Sequence, residues 1–477
     1  MRAANSMPIH TVSTAIEPPL SEAAAEAWIP RTCFKNGPPS RIGVELELLV
    51  VDARHPDGLA AHYPHHRYPA LLRELADGGL DGRLTVEPGG QVELSSRPGP
   101  TLTQTVDAVH RDLSALRRRA ARCGARLLGI GVDPVRPPRR IDDHPRYVAM
   151  ERYFDPWGEA GRTMMCSTAS VQVNVEAGIG PGSAADQGSP ETLAAPWPGG
   201  RAAVRPVIDV GARWDLLHAI GPALVAAFAN SSRRAGRMTG WKSSRQGVWA
   251  DLDPARTGVP ARRPGERIES AWTRWVLDAP LLLVRRDDGP WTAPPGVTFR
   301  RWLRLGKAAV PDRPAPRTDD LAYHMTTLFP QVRARGHLET RFVDAQPGQW
   351  WTVPPAVIGA LLDDCGAAAQ AREACVPVEG RWRDAARVGL DDEALARSAT
   401  AVLQAAMEAL RRSPDTHRLA GRVEGYLEKW TARGRCPADD PPGAPLTGPC
   451  GTPSERLGSE RLGSERLGSE RLEDEPS

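Results

Sequence analysis

Four short stretches of this chain carry acidic or amide side chains two residues apart between apolar ones. They are Glu45 and Glu47 in GVELEL, Gln91 and Glu93 in QVELS, Gln172 and Asn174 in VQVNVE, and Glu339 with Arg341 in LETRF. On a strand successive side chains point to opposite faces, so each stretch would bury Val, Leu or Phe and present a polar row. Rows from several strands converging on one surface would suit Mg²⁺, which takes hard oxygen ligands and is bound by a few carboxylates together with substrate phosphates. The same alternation also describes the wetted face of an ordinary antiparallel sheet, and spacing alone leaves both readings open.

Arg245 and Arg341 are the candidate anion partners. Arg341 follows Glu339 by two, which puts a carboxylate and a guanidinium on one face; a surface ion pair worth about 0–1 kcal/mol would have the same spacing. Neither a Walker A sequence nor a complete G-x-G-x-x-G is present, since Gly129-Ile130-Gly131-Val132 stops short. A nucleotide would therefore be held by metal ions and arginines. No Ser/His/Asp order or G-x-S-x-G elbow stands out and there is no H-E-x-x-H, so hydrolytic triads are unsupported. His62, His65 and His66 cluster around Tyr63 and read as a loop surface. Cys166 precedes the third stretch without an identifiable activating base and reads as a structural thiol.

The elements that must position these groups follow from periodicity and turn residues. Residues 41–51 read as a strand, and Glu87-Pro88-Gly89-Gly90 turns the chain into the next. Residues 104–122 place Val106, Val109, Leu113, Leu116 and Ala120 at helical spacing, and residues 126–132 read as a strand. Further helices are expected at 214–230, 355–372 and 391–412, with a Gly/Pro/Ala/Ser-rich surface loop at 178–205. Residues 1–30 read as a loose arm or one short helix, residues 31–433 as a single catalytic domain, and residues 434–477 as a disordered tail ending in SERLG repeats. A period of five advances a helix by about 500°, so the tail leucines form no stripe.

Composition narrows the class. The chain has 477 residues, is 41% hydrophobic, and sets 61 Lys plus Arg against 58 Asp plus Glu, a net charge of +3. That balance argues against binding dominated by nucleic acid or membrane charge. No run reaches the roughly 20 apolar residues that span a bilayer, and a cytoplasmic protein is expected. The 7 Cys include no C-x-x-C pair, so reduced thiols are expected.

In order and content, RIGVELELLV, VEPGGQVELSS, MMCSTASVQVNVE, GWKSSRQGVWADLDPARTG and HMTTLFPQVRARGHLETRFVDAQP resemble the glutamate-cysteine ligase family. The resemblance runs from about residue 41 to 364. It is strongest to the plant and bacterial branch and, within it, to actinobacterial members that feed ergothioneine synthesis. It implies an α+β fold, with a curved, mainly antiparallel sheet forming a funnel flanked by helices, as in glutamine synthetase-like carboxylate-amine ligases. It also implies ATP and Mg²⁺ as cofactors and glutamate, cysteine and ATP as the small-molecule partners, with no nucleic acid or membrane. Carried over by motif position, Glu45, Glu47, Glu93 and Glu339 would be metal ligands, and Glu87 would lie near the metal or the amine. Gln172, where other branches place a His ligand, would coordinate metal or bond nucleotide. Arg245 and Arg341 would steer the glutamate carboxylate and the transferring phosphate. Trp249 and Arg256 are weaker candidates, and His324, Thr326 and Thr327 belong to a matching block without individual roles. Two alternatives stand beside this one: a related ligase using another amine, and a non-catalytic nucleotide or metabolite binder.

Overall fold

The first strand, β1 (Ile42–Asp52), shows in miniature how the sheet divides its two faces. Val44, Leu46, Leu48 and Val50 enter the main core, while Glu45 and Glu47 point the other way. Further along, Leu49 and Val51 pack with Leu128, Ala169 and Ala345 in a small separate cluster. The polar face is therefore confined to the first half of β1.

The computed structural model describes residues 19–35, 37, 41–54, 62–179 and 209–440. The remaining strands are β2 (Arg83–Val86), β3 (Val92–Ser95), β4 (Ala125–Leu128), β5 (Ser170–Val175), a short hairpin of β6 (Arg233–Arg234) and β7 (Arg237–Met238), β8 (Val332–Ala334) and β9 (Leu338–Asp344). Seven of them form one antiparallel sheet in the open order β2-β3-β1-β5-β9-β8, with β4 pairing the far half of β1. Together with the surrounding helices this is an α+β architecture.

Pairing sets the face. Glu47 lies opposite Glu93, Glu45 opposite Gln172, Asn174 opposite Glu339, and Arg333 opposite Glu339 on the other edge. Between Val171 and Val173 the register with β9 slips by one, so Arg341 and Phe342 together oppose Gln172. This bulge lets Phe342 and Val343 both join the core.

Helices cover the apolar face. Leu102–Arg122 is capped by the Thr101 hydroxyl accepting from Gln104 N at 3.2 Å, and it buries the expected stripe from Val106 to Ala120. Val353–Asp363 is buried from Val353 through Leu362 and packs against β5, which is the pattern of a helix enclosed on all sides. The single helix expected over 355–372 is in fact two. Asp364 adopts φ −128° and ψ 106°, and its carboxylate accepts from Ala367 N at 2.9 Å, capping a new helix at Cys365–Cys375. The expected helices at 214–230 and 391–412 are Val210–Ala227 and Glu393–Arg411, capped by Asp209 and Asp392. The strand expected over 126–132 ends at Leu128; a Cβ on Gly129 would overlap the Gln346 carbonyl, so the chain there passes in close contact with other backbone.

Near the start, Glu22–Cys33 is helical and buries Ala25, Ile29 and Cys33 in the main core. At the other end, residues 437–440 are docked. Ala438 N donates to Ala229 O at 3.0 Å, Ser232 Oγ donates to Ala438 O at 3.0 Å, and Lys242 pairs with Asp439. The loop expected at 178–205 and the SERLG repeats lie almost wholly outside the described residues. Among the described residues no helix is long and apolar enough to cross a membrane.

Candidate active site

The β2-β3-β1 half of the polar face is acidic. Thr85 Oγ1 and Ser95 Oγ donate to Glu93 Oε1 at 2.8 and 3.2 Å, and Asn174 Nδ2 donates to Glu45 Oε1 at 2.9 Å. Gln172 Nε2 donates to Glu47 Oε1 at 2.7 Å. These are neutral donors, and none of them brings a positive charge to the carboxylate it bonds. Burial, followed by repulsion from Glu93 and Glu339, pushes Glu45 up to about 8. Burial and the charges of Glu93 and Glu47 push Glu87 up to about 8 as well. Glu93 moves in the same direction, chiefly through burial and Glu47.

Glu87 sits on the tight turn joining β2 to β3. Gly90 N donates to Glu87 O at 2.8 Å, and Glu87 N donates to Gln91 O at 2.8 Å. Gly90 has φ +88°, and a Cβ on Gly89 would overlap the Cys166 backbone, so both glycines are required there. Gln91 is buried and donates to Thr168 O at 3.0 Å, fastening the turn to the strand entry before β5.

The β5-β9-β8 half is the opposite. Arg333 on β8 grips Glu339 in a forked pair, with Nη2 at 2.8 Å from Oε1 and Nε at 3.1 Å from Oε2. Arg341 pairs with the same carboxylate and donates to Gln172 Oε1 at 2.8 Å. Burial alone would raise Glu339; Arg333 and then Arg341 instead hold it far below the usual carboxylate range. Arg245 reaches this half from the helix Ser244–Ala250 and donates through Nη2 to Arg341 O at 2.7 Å. It is 1% exposed, lies 4.7 Å over the Trp249 ring, and its Nε and Nη1 have no hydrogen-bond partner among the described residues. Asp344 Oδ1 is 4.0 Å from Nη1, too far for a hydrogen bond.

Asp344 organises the loop behind Arg245. It accepts from Asn230 N at 2.9 Å, Ser231 Oγ at 2.7 Å and Ser243 Oγ at 2.9 Å, and Ser243 caps the helix that carries Arg245. Sequence reasoning named Asn174 only as a member of the polar row, and missed Asp344, Arg333 and Thr85 as parts of this face. Each would have needed the strand pairing to be found.

The structure therefore brings Glu45, Glu47, Glu93, Gln172, Glu339, Arg245 and Arg341 onto one surface, with Glu87 at its rim. Trp249 is the floor beneath Arg245. Arg256 is fully buried and held by protein: it bonds Thr327 and Pro280, stacks 4.6 Å over Tyr153, and its Nε, without a hydrogen bond among the described residues, lies 3.6 Å from Asp253 Oδ2. His324 bonds Val276 O at 2.9 Å, and burial drives it down to about 3, so it is a neutral packing residue. Burial pushes Cys166 up to about 12, which removes it as a nucleophile. His65 and His66 lie on an exposed turn.

An all-oxygen set of desolvated carboxylates that repel one another fits a hard divalent cation. Among the described residues no three carboxylates, imidazoles or thiols are gathered tightly enough to cage a metal ion unaided.

A family model for glutamate-cysteine ligase family 2 (GCS2) matches residues 41–179 and 202–441. The glutamate-cysteine ligase EgtA of Mycolicibacterium smegmatis is 37% identical over 428 residues, which are 87% of this chain and 93% of that protein. The chloroplastic glutamate-cysteine ligase of Medicago truncatula is 31% identical over 291 residues, 59% of this chain and 50% of that one. A solved glutamate-cysteine ligase from Francisella tularensis, in complex with AMP, covers 84% of each chain at 13% identity with a TM-score of 0.44. By the family model and by this similarity, the chain belongs to glutamate-cysteine ligase family 2.

Proposed function

We propose that this protein joins the γ-carboxylate of L-glutamate to the amine of L-cysteine at the expense of ATP, giving γ-glutamylcysteine, ADP and phosphate. The observation that carries the reading is the split face: carboxylates bonded by neutral donors on one half, and on the other a buried Arg245 with unused donors beside Arg341. The first half calls for a cation and the second for an anion. ATP with a divalent cation and a glutamate carboxylate supply both.

The chemistry explains why both are needed. A carboxylate resists attack by an amine because an oxide-like group would have to leave. Transfer of the γ-phosphoryl group makes an acyl phosphate, from which phosphate departs as the cysteine amine attacks. Arg245 and Arg341 would hold the glutamate carboxylate and the transferring phosphoryl oxygens, with Trp249 and the Arg341 carbonyl fixing the Arg245 guanidinium in place. Gln172 would orient Arg341 through its Oε1 while its Nε2 steadies Glu47. Glu45, Glu47 and Glu93 would hold Mg²⁺, with Glu87 at the rim and Glu339 shared with its arginines. When bound, Mg²⁺ would neutralise phosphate charge and draw electrons from the phosphoryl group. Supply of γ-glutamylcysteine for ergothioneine, in the cytoplasm, is the cellular role we assign.

The test is incubation of purified protein with ATP, Mg²⁺, glutamate and a panel of amino acids, following phosphate release and product mass. Cysteine-dependent phosphate release with a γ-linked dipeptide is expected. Phosphate without that product would overturn the ligase reading, and equal use of alanine would remove cysteine selectivity.

A further inference from the structure

The turn carrying Glu87 is tied to a second wall that the roles above leave unused. Pro88 O accepts from Ile141 N at 2.7 Å and from Asp142 N at 3.4 Å. These bonds fasten the segment entering the helix Pro145–Phe154 directly onto the Glu87 turn. Arg146 and Tyr147 occupy the first turn of that helix, and both interact electrostatically with Glu87.

Arg146 is rigidly held yet not used up. Its Nη1 donates to Thr326 Oγ1 and its Nη2 to Thr326 O, each at 2.9 Å, while Nε–H and the outer Nη hydrogens have no hydrogen-bond partner among the described residues. The guanidinium carbon lies 5.2 Å from the Tyr323 ring centroid, and Arg285 packs on the same ring at 4.8 Å. Arg146, Tyr147 and Tyr323 are all partly exposed, so this wall is open to a ligand. Tyr323 and Thr326 belong to the block around HMTTLFP that no role has yet absorbed.

We propose that Arg146 anchors the α-carboxylate of the acceptor amino acid against Tyr323, with Glu87 across the turn receiving its α-ammonium. The inference rests on the ligase reading and extends it to the second substrate. A zwitterionic amino acid carries opposite charges on one carbon, and a fixed guanidinium beside a carboxylate is the complement of that pair. Arg245 and Arg341, on the β9 side, are committed to glutamate and phosphate. Arg146 lies on the Glu87 side, so an acceptor held there, once its α-ammonium has given up a proton to solvent, presents the amine nitrogen to the activated carboxylate. The enzyme would then select α-amino acids over simple amines through the carboxylate handle.

The test compares cysteine with cysteamine, which keeps the thiol and amine but lacks the carboxylate. The wild-type enzyme should use cysteamine with kcat/KM about 100-fold below that for cysteine, the scale of losing a charge-assisted contact. Arg146→Met should raise KM for cysteine by a similar factor, leave KM for glutamate and ATP within about twofold, and abolish the preference; Arg146→Lys should restore part of it. Equal use of cysteine and cysteamine by the wild type would overturn the inference even if Arg146→Met fails to fold. So would a folded Arg146→Met that retains the preference or weakens glutamate instead. Absence of γ-glutamyl product with every amine would instead bring down the ligase reading on which the inference rests.

Discussion

The two halves of one sheet face solve the problem of buried charge in opposite ways. On β2, β3 and β1, the glutamates accept from Thr, Ser, Asn and Gln among the described residues, and Glu45 and Glu93 are pushed toward protonation. On β5, β9 and β8, Glu339 is gripped by two guanidinium groups and stays ionised. On the function proposed above, the first half is completed by something positive. The second has already been completed, and the surplus guanidinium capacity of Arg245 remains for something negative.

Four experiments would break or sharpen that contrast. Arg245→Met should lower kcat/KM for glutamate by about 10³-fold with the fold intact, as loss of a preorganised charge donor does; steady-state kinetics with circular dichroism would check it, and a loss below tenfold would remove Arg245 from the anion half. Glu339→Gln should cost about 3 kcal/mol of stability, because two buried guanidinium groups lose their counter-charge. Denaturant unfolding would measure this, and an unchanged midpoint would mean the pair is not structural. Glu93→Gln should raise the Mg²⁺ concentration for half-maximal turnover about tenfold, the scale of one lost charged ligand; unaltered metal dependence would take Glu93 out of the cation half.

The smallest effect concerns pH. Glu45 in the folded chain keeps its proton up to about 8, whereas in the unfolded chain it loses it in the ordinary carboxylate range. The folded state therefore binds more protons in between, and stability without divalent cation should fall as pH rises from about 5 toward about 8. Glu45→Gln removes its share of that slope, leaving those of Glu87 and Glu93, and should melt a few degrees above the wild type near the upper end of the window. A variant less stable than the wild type there would contradict the contrast, since removing a carboxylate from this half should have the opposite sign to Glu339→Gln.

The alternation in the four stretches was enough to foresee the shared polar face, because each stretch pairs with its neighbour in one sheet, β5 and β9 across a one-residue slip. The glutamate and cysteine assignments came instead from motif order. What stayed hidden depended on pairing or on one-residue irregularities. Strict alternation from Glu339 and Arg341 puts Asp344 on the opposite side, and only the slip opposite Gln172 returns it to the Ser243 and Arg245 side. Arg333 is one arginine among many until β8 folds back on β9. The bond of Arg146 to Thr326 spans 180 positions, beyond any local pattern. The break at Asp364 was missed because the apolar periodicity runs straight through a residue whose carboxylate caps the next helix.

The docking of residues 437–440 on the loop from Ala229 to Lys242 has a consequence for the order in which the protein becomes active. A chain emerging from the ribosome makes the acidic strands first, and β1, β3 and β5 can pair once residue 175 is out. The loop beside Asp344 and Arg245 gains its last supports only when Ala438 and Asp439 arrive. The acidic half is thus assembled early in synthesis and the loop beside Arg245 is completed late, so a chain stopped short of residue 438 would hold its acidic face before Arg245 has its last support.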